Sequence, residues 1–277
     1  GGYYNVIDYV TIATKGNATD FGDISVTRGY IAGLASSSRG IFAGGYTGSN
    51  SNVIEYVTIA STGNAVDFGD LTTSRNALAG LSSAVRGIFG GGYTGSNSNV
   101  IDYITIATTG NAEGFGDLFV TRAYLTGLSS ATRGIFGAGY AGSSLNTIDY
   151  ITIATIGNAA DFGDLTAARY GPGGCSSPTR GIFGGGYVSA SNNTIDYVTI
   201  ATTGDATDFG DLTVARYLPG GCSSATRGVF GGGYISSSSN IIDQVTIATT
   251  GNATDFGDLT LARHTMGACS DVHGGLG

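Results

Sequence analysis

The chain has no tryptophan, one methionine, two histidines, three cysteines and three prolines among 277 residues. Lys15 is its single lysine. Each shortage removes a class of reading. The formal net charge is −8, and the arginines fall at only two recurring positions, so no basic stripe can track a phosphate backbone and no nucleic-acid partner is expected. No run of 18 apolar residues occurs, so no membrane insertion by a helix is expected. The opening Gly-Gly-Tyr-Tyr carries neither the charged nor the apolar region of an export leader and no initiator methionine, which suggests a processed or excerpted chain. Two isolated histidines, His264 and His273, cannot build a metal triad, and they read as ordinary rim residues. No cofactor or metal is expected.

The cysteines follow the same logic. Cys175, Cys222 and Cys269 stand where earlier stretches have Leu34, Leu81 and Leu128, so the position is a small apolar core site rather than half of a disulfide or a nucleophile.

What the chain does have is repetition. Arg-Gly-[Ile/Val]-Phe-[Gly/Ala]-[Gly/Ala]-Gly-Tyr begins at Arg39, Arg86, Arg133, Arg180 and Arg227, each 47 residues after the last. Phe-Gly-Asp recurs too, ending at Asp23, Asp70, Asp117, Asp164, Asp211 and Asp258. A period of this length marks a propeller or solenoid, because one unit cannot bury its own apolar face. The 49 glycines are periodic, so they mark turns and close backbone approaches, not disorder. Residues 1–277 read as one domain of six units, about 1–43, 44–90, 91–137, 138–184, 185–231 and 232–277.

Within one unit, Val-Ile-Glu-Tyr-Val-Thr-Ile is a β-branched and aromatic strand, and Ala-Val-Asp-Phe-Gly-Asp is a short one. Asn-Ala-Leu-Ala-Gly-Leu-Ser-Ser has the smallest side chains, which suits the crowded axis, and Ile-Phe-Gly completes the set. Four short strands repeated six times predict an all-β, six-bladed β-propeller of four-stranded antiparallel blades. The segment from His264 aligns with the inner strand of the blade whose outer strands are N-terminal, with residues 274–277 and 1–3 sharing its second strand. The ring is therefore expected to close by pairing of N- and C-terminal strands.

Acids inside the apolar strands (Asp8, Glu55, Asp102, Asp149, Asp196 and Asp243) need partners if buried. The arginines supply them: Arg28, Arg75, Arg122, Arg169, Arg216 and Arg263 in one class, and Arg39, Arg86, Arg133, Arg180 and Arg227 in the other. Charges that repeat with the blade read as a structural ion-pair set, not as catalytic groups. Only Glu113, Asp205 and Asp271 lie off the repeated acid positions, and nothing suggests that they meet. Asp-Phe-Gly resembles a kinase phrase, yet the other kinase motifs are missing, so it reads as a turn.

These phrases resemble the kelch repeat: a diglycine (Gly44-Gly45, Gly91-Gly92, Gly185-Gly186, Gly232-Gly233), a polar loop, an acid-aromatic pair (Asp8-Tyr9, Glu55-Tyr56, Asp102-Tyr103, Asp149-Tyr150, Asp196-Tyr197) and a connector ending in Arg. Ala138-Gly139, Asp243-Gln244 and the missing tryptophan depart from that pattern, and Phe21 with its equivalents is expected to fill the tryptophan's space. The wording of residues 101–112 followed by Phe-Gly-Asp-Leu is similar to kelch-type repeats in virion proteins of tailed, especially marine, phages. That resemblance implies a tail-fibre, receptor-binding or virion-surface module in an extracellular setting. Its partners would be a host-surface glycan or protein receptor, or other virion proteins, with homo-oligomer or larger assembly as a natural context.

The residue after the first arginine class is the least repeated: Gly29, Asn76, Ala123, Tyr170, Tyr217 and His264. Variation on one face of a fixed scaffold is where recognition is expected. The candidate ligand-binding residues are therefore Tyr170, Tyr217, His264 and Asn76, joined by Asn50, Asn97 and Asn192 of the polar loops. Three functions follow: a non-catalytic binding module, a structural virion element held by protein contacts, and, least supported, a sugar-active enzyme.

Overall fold

The computed structural model describes residues 3–270, and these contain strands and turns but no helix. The first sheet holds two strands, β1 (Tyr4–Tyr9) and β2 (Thr19–Arg28). The next is a four-stranded antiparallel meander of β3 (Ala32–Ala35), β4 (Arg39–Ala43), β5 (Val53–Thr58) and β6 (Val66–Asp70). Four more four-stranded sheets of the same order follow, spanning 79–117, 126–169, 173–211 and 220–263. The protein is a β-propeller.

The strand chemistry explains the order. The inner strand β3 is Ala-Gly-Leu-Ala, and at Gly80 of the next inner strand a Cβ would stand 2.5 Å from the Gly33 carbonyl oxygen. Only a residue without a side chain fits where inner strands converge on the axis. Apolar burial then lies between sheets. Ile41, Ile54 and Phe68 of one blade form a single cluster with Phe89, Ile104 and Ile106 of the next. Each fully buried Phe contributes about 1.5–3 kcal/mol of transfer free energy.

The Phe-Gly-Asp phrase is a bulge. The register of β5 on β6 slips between Ile54 and Glu55, turning Phe68 into the interblade core. Gly69 (φ +148°) is left against the Gly110 carbonyl of the next blade, where a Cβ would overlap it. Gly110 N then donates to Phe68 O (2.8 Å), Ala112 N to Asp70 O (2.8 Å), and Asp70 N to Asn111 Oδ1 (3.0 Å). The same bonds link the last sheet to the first: Gly16 N to Phe256 O, Ala18 N to Asp258 O, and Asp258 N to Asn17 Oδ1.

The expectation of six four-stranded blades needs correction: among the described residues five sheets are four-stranded and one is two-stranded. Residues 264–270, expected as an inner strand, lie beside the inner strands without being one, with Ala268 against Gly33 and Ser223 N donating to Ser270 Oγ at 3.0 Å. Among the described residues they pair in no strand ladder, and the expected second strand at 274–277 and 1–3 lies, apart from Tyr3, outside the described residues. Among the described residues no β-pairing joins the chain's two ends.

The first arginine class pairs as expected. Arg28–Glu55, Arg75–Asp102, Arg122–Asp149, Arg169–Asp196, Arg216–Asp243 and Arg263–Asp8 each cross from one sheet to the next, with both side chains buried. Burial pulls these guanidinium pKa values down, and the facing carboxylates push back. The second class does something else. Arg39 Nη1 donates to Ile106 O of the neighbouring blade (2.7 Å), while its guanidinium lies 4.4 Å from the centre of the Tyr56 ring. Arg86, Arg133 and Arg180 repeat both contacts, and Arg227 repeats the carbonyl contact alone, Gln244 replacing the ring. These five arginines belong to cation–π and carbonyl contacts, not to the ion-pair set. The buried carboxylates are already occupied by the first class.

Candidate recognition face

One end of the axis is built from three concentric columns of residues. Innermost are Tyr30, Ala77, Tyr124, Gly171, Leu218 and Thr265, all with φ between +52° and +64°. Left-handed backbone at five non-glycine residues costs on the order of 1 kcal/mol or more each. A cycle of backbone bonds holds it. Ala77 N donates to Tyr30 O, Tyr124 N to Ala77 O, Gly171 N to Tyr124 O, Leu218 N to Gly171 O, Thr265 N to Leu218 O and Tyr30 N to Thr265 O, over 2.7–3.4 Å.

Just outside lies the variable column, and beyond it the tyrosine that ends each second-strand phrase. Backbone bridges join the two, as in Tyr170 with Tyr187 and Tyr217 with Tyr234. The rings on these columns touch. Tyr170 packs on Tyr124 (5.7 Å between centroids), Tyr140 (5.7 Å), Tyr187 (5.2 Å) and Tyr217 (6.1 Å). Tyr217 meets Tyr187 (5.2 Å) and Tyr234 (5.4 Å), and Tyr234 meets His264 (5.1 Å). Tyr124 continues the chain through Tyr30 to Tyr3 and Tyr46. Most rings are edge-on or tilted, the arrangement their quadrupoles favour.

The network is lopsided. It is dense around Tyr124, Tyr170, Tyr217 and His264, runs on past Gly29 through Tyr30, Tyr3 and Tyr46, and thins at Asn76 and Ala77. Electrostatically the arc is neutral. Burial, then neighbouring phenols, pushes Tyr30 up to about 12, and burial leads the upward shifts of Tyr124, Tyr170 and Tyr217. Burial lowers His264, whose Nδ1 sits 3.0 Å from Ser238 Oγ, so its ring is uncharged at neutral pH.

The structure therefore brings Tyr170, Tyr217 and His264 into one surface. It does not bring the asparagines to them. Asn50 Nδ2 donates to Tyr93 O (3.1 Å), Asn97 Nδ2 to Tyr140 O (3.0 Å), and buried Asn76 Nδ2 to Asn50 Oδ1 (2.6 Å). Asn192 Oδ1 accepts from Thr194 N at 2.7 Å. These amides stitch loops together. Tyr30 and Tyr124 were missed in the sequence, although their own column (Tyr, Ala, Tyr, Gly, Leu, Thr) is equally unrepeated and was the signal available.

At the centre of this face the axial cavity measures about 110 Å³, below the ~300–1,000 Å³ typical of enclosed small-molecule sites. The off-repeat acids have local work: Glu113 Oε2 accepts from Tyr103 Oη (2.5 Å), and Asp205 Oδ1 accepts from Asp164 N (3.0 Å). Asp271 lies outside the described residues. No group of three or more His, Cys, Asp or Glu could hold a metal among the described residues. The thiols are free, Cys175 buried and Cys222 and Cys269 partly so, with Cys222 pushed up to about 11, Cys269 to about 12 and Cys175 higher still, burial being the main cause.

Comparison with protein-family models and with curated proteins returns no match for this chain.

Proposed function

We propose that this propeller is a non-catalytic binding module, a kelch-like receptor-binding head of a phage virion that lays its aromatic face on a neutral host-surface glycan. The observation that carries the reading is the contiguous aromatic cluster of Tyr124, Tyr140, Tyr170, Tyr187, Tyr217, Tyr234 and His264 at one end of the axis, interrupted at Asn76 and Ala77. Rings of this kind stack on the apolar faces of sugars while phenol and imidazole groups meet hydroxyls. The shallow axial mouth favours surface contact over an enclosed reaction site. In this reading β1, β2 and residues 264–270 are the sixth blade of a ring closed by the Phe256–Gly16 and Arg263–Asp8 contacts. The virion setting rests on the resemblance of the repeats.

The test uses intact candidate host cells, before and after enzymatic removal of surface glycans, with the labelled propeller as probe. Saturable binding that disappears with the glycans supports the proposal. Binding that survives their removal points to a protein receptor, and no binding points to a structural element of the virion.

A further inference from the structure

Two aliphatic side chains stand in solvent beside the tyrosine cluster. The residue that follows each second-strand tyrosine opens a polar loop, and along the chain it reads Thr47, Thr94, Ala141, Val188 and Ile235. Its backbone setting is the same in these five loops: each N–H donates to the carbonyl two residues on, over 2.9–3.2 Å. The backbone therefore places no demand on the side chain. Nor does burial select an apolar one, because Val188 is 42% and Ile235 38% exposed.

The column bridged to the same tyrosines changes in step. Gly29, Asn76 and Ala123 go with Thr47, Thr94 and Ala141, whereas Tyr170 and Tyr217 go with Val188 and Ile235. A lone exposed aliphatic side chain is ordinary. Two at one register position on neighbouring blades make a patch, and Ser191 Oγ ties the two loops by donating to the Ile235 carbonyl at 3.4 Å. The rings behind them are in mutual contact: Tyr187 lies 5.2 Å from both Tyr170 and Tyr217, and Tyr217 lies 5.4 Å from Tyr234. Phenols and aliphatic groups are the only side chains of this patch, so nothing in it matches an ionic substituent.

Such a surface sorts neutral sugars by one feature. Phenol oxygens exchange hydrogen bonds with ring hydroxyls, but Val188 and Ile235 have no side-chain donor or acceptor to offer. A hydroxymethyl group pressed against them gives up water without gaining a partner. A methyl group in the same place gains apolar contact. Resting on the glycan reading of this face, we infer that the ligand presents a methyl group to Val188 and Ile235, as a 6-deoxyhexose does at C6 or an N-acetylhexosamine does through its acetyl. The two aliphatic residues are then the specificity determinants, and the tyrosines supply the bulk of the contact.

The test is saturation binding of the full chain to immobilised oligosaccharides that end in matched sugars. L-rhamnose against L-mannose and L-fucose against L-galactose differ at C6, and N-acetylglucosamine against N-formylglucosamine differs by one methyl. The expected result is binding about tenfold tighter or more for the methyl-bearing member of at least one pair, and that pair names the source of the methyl. Val188→Thr with Ile235→Thr installs the residue that Thr47 and Thr94 already place in the equivalent loops. The double variant should keep its melting temperature and bring the preference to about parity. A preference that survives this double substitution, or equal binding within every pair, overturns the inference and leaves the glycan reading standing. Failure to bind any methyl-bearing member also overturns it. The glycan reading falls as well only if attachment to host cells is unchanged by removal of their surface glycans, or is absent.

Discussion

The two ends of the axis are built on the same repeat and behave differently. At one end Ser82, Ser129, Ser176 and Ser223 link neighbouring inner strands, each Oγ donating to the carbonyl one repeat earlier at 2.7–2.9 Å. There the side chain is the link, and the residue repeats. At the other end the link between neighbours is the backbone cycle through Tyr30, Ala77, Tyr124, Gly171, Leu218 and Thr265. That cycle itself uses no side chain, and the adjoining column runs Gly, Asn, Ala, Tyr, Tyr, His. The place where a scaffold can vary is thus set by which atoms hold it together.

If that contrast is right, stability resides in the repeated contacts and recognition in the released ones. The largest expected effect lies between the two ends, in the buried ion pairs. Asp196→Ala strands Arg169, both being fully buried, and should cost about 3–5 kcal/mol by denaturant unfolding. At the uniform end, Ser176→Ala removes the bond to the Ser129 carbonyl and should cost about 1–2 kcal/mol. At the variable end, Tyr217→Ser loses several ring contacts on a half-buried side chain. It should cost only about 1 kcal/mol while lowering ligand binding at least tenfold. A larger loss of stability at Tyr217 than at Ser176 would break the contrast.

Smaller effects sharpen it. Asp102, Asp196 and Asp243 each receive both a backbone N–H and a threonine hydroxyl from the preceding connector. Asp149 faces Phe119 instead, so its Oδ1 has no partner, and burial raises its pKa despite Arg122. Phe119→Thr should restore the bond and add about 1 kcal/mol. A raised folded pKa means the native state binds the extra proton, so the Asp149 contribution falls as pH rises from the unfolded carboxylate value through the folded one. Phe119→Thr should flatten that slope in urea midpoints. His264 has the opposite sense. Its folded pKa is lowered, so stability should fall as pH drops below about 6.5, and His264→Phe should remove this slight dependence.

How much was legible follows from the same distinction. The Arg28–Glu55 type of pair could be read because buried charges at fixed spacing must answer one another. Arg39 and its equivalents were misassigned because carbonyl oxygens and tyrosine faces carry no formal charge, so a count of charges cannot find them. The run 264–270 was aligned with an inner strand from its repeat position alone, while its expected partner at 274–277 and 1–3 lies, apart from Tyr3, outside the described residues. Tyr170, Tyr217 and His264 stood out as the unrepeated column. Tyr30 and Tyr124 did not, since a left-handed backbone at tyrosine is not anticipated from local propensity.

The most direct test of the central claim is binding to an array of neutral and sialylated oligosaccharides by two proteins side by side. One is the unaltered chain, and the other carries Tyr170→Ala, Tyr217→Ala and His264→Ala together. The account predicts that the unaltered chain holds at least one neutral glycan and that the triple variant, still folded by its melting curve, loses it by tenfold or more. Equal binding by the two proteins, or binding confined to charged glycans, would contradict it.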